Sequence, residues 1–175
     1  MAWSIISHQS APASNQFDFS SLTLSGYQRL VLMLDGLVVG TDGAFIQLRL
    51  KIAGSEISTS YRWHHRVHSS SSTIESTNTQ TGTFVPLIYG SASDWGIGNA
   101  AGKSGSAMVQ ISNPTAALYK TMTVDSVVNA KTGSIVRAIG GGSLDNTGSM
   151  NGLRVYPSTG TLTAGKATLY GLNTA

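Results

Sequence analysis

The sequence predicts an all-β protein, with residues 1–175 folded as one two-sheet antiparallel β-sandwich of the jelly-roll-like kind. Three observations predict this fold class. Apolar residues recur at every second position in segment after segment, which is the period of half-buried strands. Turn-forming residues such as glycine, asparagine and proline separate these segments. No window shows an apolar helical stripe longer than two turns.

Two segments carry the strongest strand signal. The segment AFIQLRLKI alternates strictly, and its predicted inward face consists of Ile46, Leu48, Leu50 and Ile52. The segment RLVLMLDGL is apolar on both faces from Leu30 to Leu34. This pattern predicts a strand that is covered on both sides, deep in the sheet or at a contact between subunits.

The remaining segments complete the predicted sandwich of eight to ten strands. The further strand candidates are WSII, FDFSSL, YRWHHRVH, FVPLIY, AMVQIS, YKTMTVDSVV, SIVRAIG, GLRVYP and KATLYGL. Polar Ser69–Thr83 and the glycine- and alanine-rich Ser91–Ser106 are predicted to be long loops. Gly140–Gly152 begins with three glycines and lacks the Lys-Ser/Thr ending of a phosphate-binding loop, so a flexible hairpin or interstrand loop is predicted there.

The composition excludes several classes of function. Only 11% of residues are charged, against roughly 25% in ordinary soluble proteins, and this suits subunits that associate with one another. A net charge of +3 is too small to predict nucleic-acid binding. The absence of cysteine excludes disulfides and a thiol nucleophile. We expect neither a signal peptide nor a membrane insertion, since no apolar run approaches about 20 residues.

The string YRWHHRVH holds three of the four histidines. Strand alternation predicts that one face, in the core or an interface, consists of Tyr61, Trp63, His65 and Val67. The opposite face is a possible subunit contact that consists of Arg62, His64, Arg66 and His68. His64 and His68 would lie about 13 Å apart, so no metal site is expected within one copy, and a histidine from each copy meeting on a symmetry axis stays open. Protonation of this row in acid should loosen the contact.

No other pattern predicts an enzyme or a cofactor. The chain has no G-x-S-x-G elbow for a serine nucleophile. A glycosidase would need two carboxylates that flank a bond, and Asp94 with Glu75 is the pair that the two predicted loops could bring together. Trp95 and Tyr89, together with Trp63, are the candidates for a glycan contact, because aromatic faces stack on sugars. The alternative is that Trp95 closes one end of the sandwich.

The segment NGLRVYPSTGTLTAGKATLYGL, Asn151–Leu172, resembles the closing segment of many small structural proteins of tailed bacteriophages, where it forms the last two strands of a β-sandwich. The run Phe17–Leu50 resembles the matching N-terminal part. Read physically, Pro157–Gly160 forms a turn, Ala167 and Leu169 point inward, and a closing hairpin is predicted.

The resemblance implies a non-enzymatic virion protein, assembled in the host cytoplasm and released by lysis. It would be a capsid decoration or cement subunit, a head fibre or spike, or a tail-fibre component. Such proteins are often homotrimers that bind other capsid or tail proteins. The alternative is a carbohydrate-binding or host-receptor-binding module that recognises a surface glycan. Because the strand pattern begins close to Met1, we expect no shaft, which favours the particle surface.

Overall fold

The computed structural model of the chain describes residues 2–11, 15–70, 72–88 and 95–173, and for residues 72–80 it describes the backbone alone. Within these ranges the chain forms thirteen β-strands and no helix, which confirms the all-β prediction with more strands than the eight to ten expected. The strands are β1 (Trp3–Ser10), β2 (Phe17–Phe19), β3 (Tyr27–Val39), β4 (Ile46–Ile52), β5 (Ser55–Glu56), β6 (Tyr61–Ser69), β7 (Ser72–Gly82), β8 (Val85–Ile88), β9 (Gly105–Ser112), β10 (Lys120–Asn129), β11 (Ile135–Leu144), β12 (Met150–Pro157) and β13 (Leu162–Asn173).

The strands form two antiparallel sheets that pack face to face. The first sheet has eight strands in the order β1-β13-β3-β9-β10-β11-β6-β7. The second has five strands, with the order β2-β12-β4-β5 and β8 paired to β4. The chain crosses between the sheets repeatedly, since β1 and β3 belong to the first while β2 and β4 belong to the second. The predicted two-sheet antiparallel sandwich is confirmed.

The core lies between the sheets and is filled by alternate residues of the strands. In β3, Leu30, Leu32 and Leu34 are fully buried, and in β4, Leu48 and Leu50 face them from the second sheet. Each fully buried leucine stabilises the fold by about 2 kcal/mol relative to an exposed one. The inward face predicted for β4 from its alternation is therefore correct.

The predicted loop Ser69–Thr83 is wrong. Its backbone from Ser72 to Gly82 forms β7, which pairs antiparallel with β6 at one edge of the first sheet. The segment is rich in threonine, whose β-branched side chain favours extended backbone. A strand at a sheet edge has only one neighbour and needs no apolar alternation, so the periodicity test missed it. In Ser91–Ser106, residues 95–104 contain no strand, and β9 begins at Gly105.

The predicted hairpin or loop at Gly140–Gly152 is also wrong. The three glycines lie inside β11, which continues to Leu144, and only five residues separate β11 from β12. A Cβ atom on Gly140 would collide with the carbonyl oxygen of His64 on β6, and one on Gly141 would lie 2.5 Å from the carbonyl oxygen of Met122 on β10. These glycines therefore mark close contact between neighbouring strands, not flexibility.

The predicted closing hairpin is wrong in its pairing. β12 lies between β2 and β4 in the second sheet, whereas β13 lies between β1 and β3 in the first, so the turn after Pro157 carries the chain across the sandwich. The inward positions of Ala167 and Leu169 are confirmed, because both side chains are fully buried. Gly171 leaves room for the ring of Tyr27.

Candidate functional site

The outer face of the eight-stranded sheet, which points away from the second sheet, carries many apolar side chains. The strand registers place Ile5 beside Tyr170, and Tyr170 beside Val31. One row further along the strands, Met33 lies beside Met108. We define the apolar outer patch as Trp3, Ile5, Val31, Met33, Met108, Val127, Ile135, Ile139, Tyr170 and Leu172. It extends over six neighbouring strands, from β1 to β11.

Several side chains of the apolar outer patch are highly exposed. Ile5 is 64% exposed, Ile135 is 56% exposed and Trp3 is 49% exposed. Isolated exposed apolar residues are common on proteins, but a continuous apolar surface is typical of a binding surface. The outer face is therefore the strongest candidate for a functional surface in the described part of the chain.

Two shallow grooves cross the patch. The first has a volume of about 320 Å³ and is lined by Trp3, Val31, Met33 and Tyr170. The second, of about 340 Å³, lies between β3, β9, β10 and β11, where Met108, Val127 and Arg137 contribute to its walls. Shallow, mostly apolar grooves of this kind suit the side chains of a protein partner better than a small ligand, which needs an enclosing cavity.

The strand β3 explains why the sheet is apolar on both sides. Its leucines Leu30, Leu32 and Leu34 fill the core, while Val31 and Met33 point outward and are half-buried among their neighbours. The sequence predicted a strand covered on both sides. The second sheet covers the inner side, and no strand in the described part of the chain lies over the outer side.

The charged groups on the outer face of these six strands are few and nearly balanced. The guanidinium of Arg137 donates two hydrogen bonds, of 3.0 and 2.8 Å, to the carboxylate of Asp125. These bonds hold the pKa of Asp125 below its ordinary value. Lys166 lies opposite Asp35 in the register of β13 and β3, and Arg29 is a further cation. An apolar partner that covers this face would therefore remove only a few charged groups from water.

The basic row predicted on β6 lies on the same outer face, beyond the apolar outer patch. Alternation along β6 is confirmed, because the inward set is Tyr61, Trp63, His65 and Val67, and the outward set is Arg62, His64, Arg66 and His68. Arg62 forms an ion pair of 2.6 Å with Asp145. The structure thus places the row at the margin of the outer face, and its role in a subunit contact stays a prediction.

His65 is fully buried in the core, and neither ring nitrogen has a hydrogen-bond partner. The ring of Trp63 packs edge-on against it, with centroids 5.5 Å apart. Burial, with a smaller contribution from the neighbouring His64, lowers the pKa of His65 to about 4. The imidazole is therefore neutral at pH 7. The sequence predicted the inward direction of His65 but gave no sign that its nitrogens would be left without partners.

Of the candidate glycan residues, the structure describes Trp63 and Trp95. Trp95 is half-buried and packs against the core, as does Trp63, which is the arrangement expected if Trp95 closes one end of the sandwich. Tyr89 lies outside the described residues, and so does Asp94, while only the backbone of Glu75 is described. The glycan contact and the carboxylate pair therefore stay predictions.

An ion-pair network that sequence reasoning missed lies on the outer face of the second sheet. Glu56 accepts a hydrogen bond of 2.7 Å from Arg49, and its other carboxylate oxygen lies 2.9 Å from Nε of Arg154. Both guanidiniums also lie over the ring of Tyr156, at 5.3 and 4.6 Å from its centroid. Alternation in β4 predicted an outward Arg49, but the meeting with β12 depends on the order of the strands, which alternation does not specify.

A second ion pair continues this network. Lys51 donates a hydrogen bond of 2.5 Å to Asp18 on β2. Partial burial raises the pKa of Asp18, but hydrogen bonds from Lys51 and Ser20 outweigh it and leave the pKa below the ordinary value. The polar groups on this side of the sandwich therefore bind one another, which leaves the first sheet as the side with the apolar surface.

Lys120 supports an exposed loop at one end of the sandwich. Its side chain is buried, and Nζ donates hydrogen bonds of 2.6 and 2.7 Å to the carbonyl oxygens of Ala116 and Leu118. Burial lowers the pKa of Lys120. The side chains of Leu118 and Tyr119 are more than half exposed, and both lie in the loop before β10.

The described residues contain no group of three or more histidines, aspartates or glutamates placed to hold a metal ion. They also contain no helix that is long and apolar enough to cross a membrane. The chain matches no protein-family model, no curated protein and no solved structure in the comparisons with known proteins.

Proposed function

We propose that this chain is a non-enzymatic structural subunit of a tailed-phage virion, which associates as a homo-oligomer, with three copies as the expected number, and is displayed on the particle. One observation carries the proposal: the eight-stranded sheet of the sandwich exposes apolar side chains on six of its strands. A surface of this kind is suited to protein contacts. Capsid and tail proteins are the proposed partners.

Most carboxylates in the described part of the chain bind other groups of the protein, which supports a structural role. Of the eight carboxylates in the chain, Asp18, Glu56, Asp125 and Asp145 form ion pairs with lysine or arginine. Asp42 accepts a hydrogen bond from the backbone of Asn99. Carboxylates held in this way join neighbouring strands and loops.

The two segments that resemble phage structural proteins pack against each other. Phe17–Leu50 contains β2, β3 and most of β4, and Asn151–Leu172 spans most of β12 and β13. β13 pairs with β3, while β12 pairs with both β2 and β4. The resemblance therefore covers one contiguous part of both sheets, as a shared structural unit would, and this supports the proposal.

Immunogold electron microscopy of particles purified from a lysate that contains the protein tests the proposal. We expect gold at one defined location on the head or tail, and a constant ratio of this chain to the major capsid protein. Recovery of the chain only in the particle-free supernatant would contradict the proposal. A monomer that binds one glycan tightly on an array would contradict it too, and would favour the carbohydrate-binding alternative.

A further inference from the structure

The outer face of the eight-stranded sheet has the size of a complete protein interface. The six strands that carry the apolar outer patch each contain at least eight residues. Strands about 4.8 Å apart, with about 3.3 Å per residue, give this surface an area of roughly 750 Å². A standard stable interface buries about 800 Å² on each partner. The face is therefore large enough to hold a partner without help from other surfaces.

The apolar residues of this face are of the types found at the centre of an interface. Aromatic residues, methionine and arginine are enriched in interfaces, and lysine, glutamate, aspartate and serine are depleted. The face contributes Trp3 and Tyr170, together with Met33 and Met108, and its strands carry no glutamate. The exposure of Trp3 at its margin offers an anchor of the type that dominates binding energy.

The charges on this face disfavour a strongly charged partner. The outer face of the six strands carries two carboxylates and three cations, of which Asp125 and Arg137 already bind each other. A strongly acidic or basic partner would find no opposite field here. Another copy of this chain would meet a nearly neutral surface here, and the chain's net charge of only +3 opposes such self-association weakly.

We infer that the apolar outer patch is the surface through which copies of this chain associate, with a second copy as its occupant. This inference rests on the proposed function, since it names the contact by which the structural subunit assembles. Val31 and Met33 are then covered on both sides of the sheet, as the doubly apolar sequence of β3 predicts. The basic row of β6 lies at the margin of the contact.

Ile5→Lys and Val127→Lys test the inference, with Leu118→Lys as the matched control. Ile5 and Val127 are 64% and 44% exposed on the patch, whereas Leu118 is 56% exposed in the loop before β10. All three sites are solvent-accessible in one copy, so each variant should fold, and its circular dichroism spectrum and thermal midpoint verify this. Sedimentation equilibrium then gives the association constants of the wild type and the variants.

We expect the wild type and Leu118→Lys to associate equally. Each patch variant should have a Kd for self-association at least about tenfold higher, because burying an unpaired ammonium group is costly. Folded patch variants that associate as tightly as the wild type, or a monomeric wild type, would overturn the inference. Particle labelling separates the inferred contact from the proposed function. If the wild type associates but is never found on particles, the proposed function alone is contradicted. If the protein is found on virions but its patch variants still associate, the inferred contact alone is contradicted.

Discussion

Tyr61 links the two sheets through a hydrogen bond as well as through packing. Its side chain is fully buried on β6 of the first sheet, and its hydroxyl oxygen accepts a hydrogen bond of 2.7 Å from the backbone N–H of Leu50 on β4 of the second. Burial raises the pKa of the phenol. The hydroxyl therefore stays protonated, and it satisfies a backbone donor that would otherwise be buried without an acceptor.

Replacing Tyr61 with phenylalanine should destabilise the fold by about 1–3 kcal/mol, because it leaves the N–H of Leu50 buried and unsatisfied. Urea unfolding followed by circular dichroism gives the free energy of unfolding. Tyr119→Phe is the matched control, since Tyr119 is 54% exposed and its loss of a hydroxyl should change the free energy by less than about 0.5 kcal/mol. Equal effects of the two substitutions would show that the hydrogen bond between the sheets contributes nothing.

His65 makes stability depend on pH. Its pKa is about 4 in the folded protein, against an ordinary value of 6.5, so the unfolded chain binds the proton more tightly. The stabilisation is fully present above pH 6.5 and is lost as the pH falls from 6.5 to 4. The difference between the two pKa values corresponds to about 3 kcal/mol of folding free energy. The carboxylates Asp18 and Asp125, whose folded pKa values are lowered, lose their contribution at lower pH.

His65→Phe should remove most of the loss of stability between pH 7 and pH 4. The phenyl ring keeps the contact with Trp63 and takes up no proton. Urea unfolding at a series of pH values measures this slope in the wild type and in His65→Phe. If folded His65→Phe loses stability with falling pH as steeply as the wild type does, another group causes the acid sensitivity.

At the scale of the element, β11 combines a row of glycines with large residues on the next strand. The register places Gly140 opposite His65 and Gly142 opposite Trp63. A side chain on Gly140 would meet both the His64 carbonyl oxygen and the His65 ring. The small residues of β11 therefore create the space that the imidazole and the indole of β6 fill.

Gly140→Ala should accordingly destabilise the fold by about 3 kcal/mol, because a strand held on both sides cannot move away from the new methyl group. Thermal unfolding monitored by calorimetry measures the loss. Gly133→Ala is the control: Gly133 has open space around it and a φ of 89°, so only backbone strain of about 1 kcal/mol is expected. A loss at Gly140 no larger than that at Gly133 would contradict the close packing of β11 and β6.

The sequence predicts well which side chains of one strand share a face, but it predicts poorly which strands lie next to one another. Alternation gave the correct faces of β4 and β6, since a side chain's direction depends only on its position along one strand. The reading of Gly140–Gly142 as flexible was wrong, because the reason for glycine lies in the neighbouring strands β6 and β10. The closing hairpin was wrong for a related reason: nothing local specifies that β12 and β13 belong to different sheets.

The candidate site was predicted in part. The doubly apolar sequence of β3 indicated a contact surface, but the outward residues of β1, β10 and β11 were not assigned to it. The segment SIVRAIG did carry a signal: outward Ile135 and Ile139 alternate with inward Val136 and Ala138, so this strand too is apolar on both faces. Only the order of the strands reveals that these residues join Val31 and Met33 in one surface.

At the scale of the whole molecule, the two sides of the sandwich differ. The five-stranded sheet covers its outer face with a network of ion pairs that joins β2, β4, β5 and β12. The eight-stranded sheet exposes apolar side chains and one ion pair with two hydrogen bonds across β1 to β11. The molecule therefore has one polar side and one side rich in exposed apolar side chains, which is the arrangement that the proposed self-association requires.

Methionine oxidation tests most directly whether the apolar outer patch is covered in the assembled protein. Met33 and Met108 point outward on the patch, whereas Met122 and Met150 are buried in the core and report unfolding. Dilute hydrogen peroxide oxidises accessible thioethers, and peptide mass spectrometry gives the rate at each site. We predict that Met33 and Met108 oxidise several-fold more slowly in the wild type than in folded, dissociated Ile5→Lys, while the core sites stay slow in both. Equal rates at Met33 and Met108 in the two proteins would contradict this prediction.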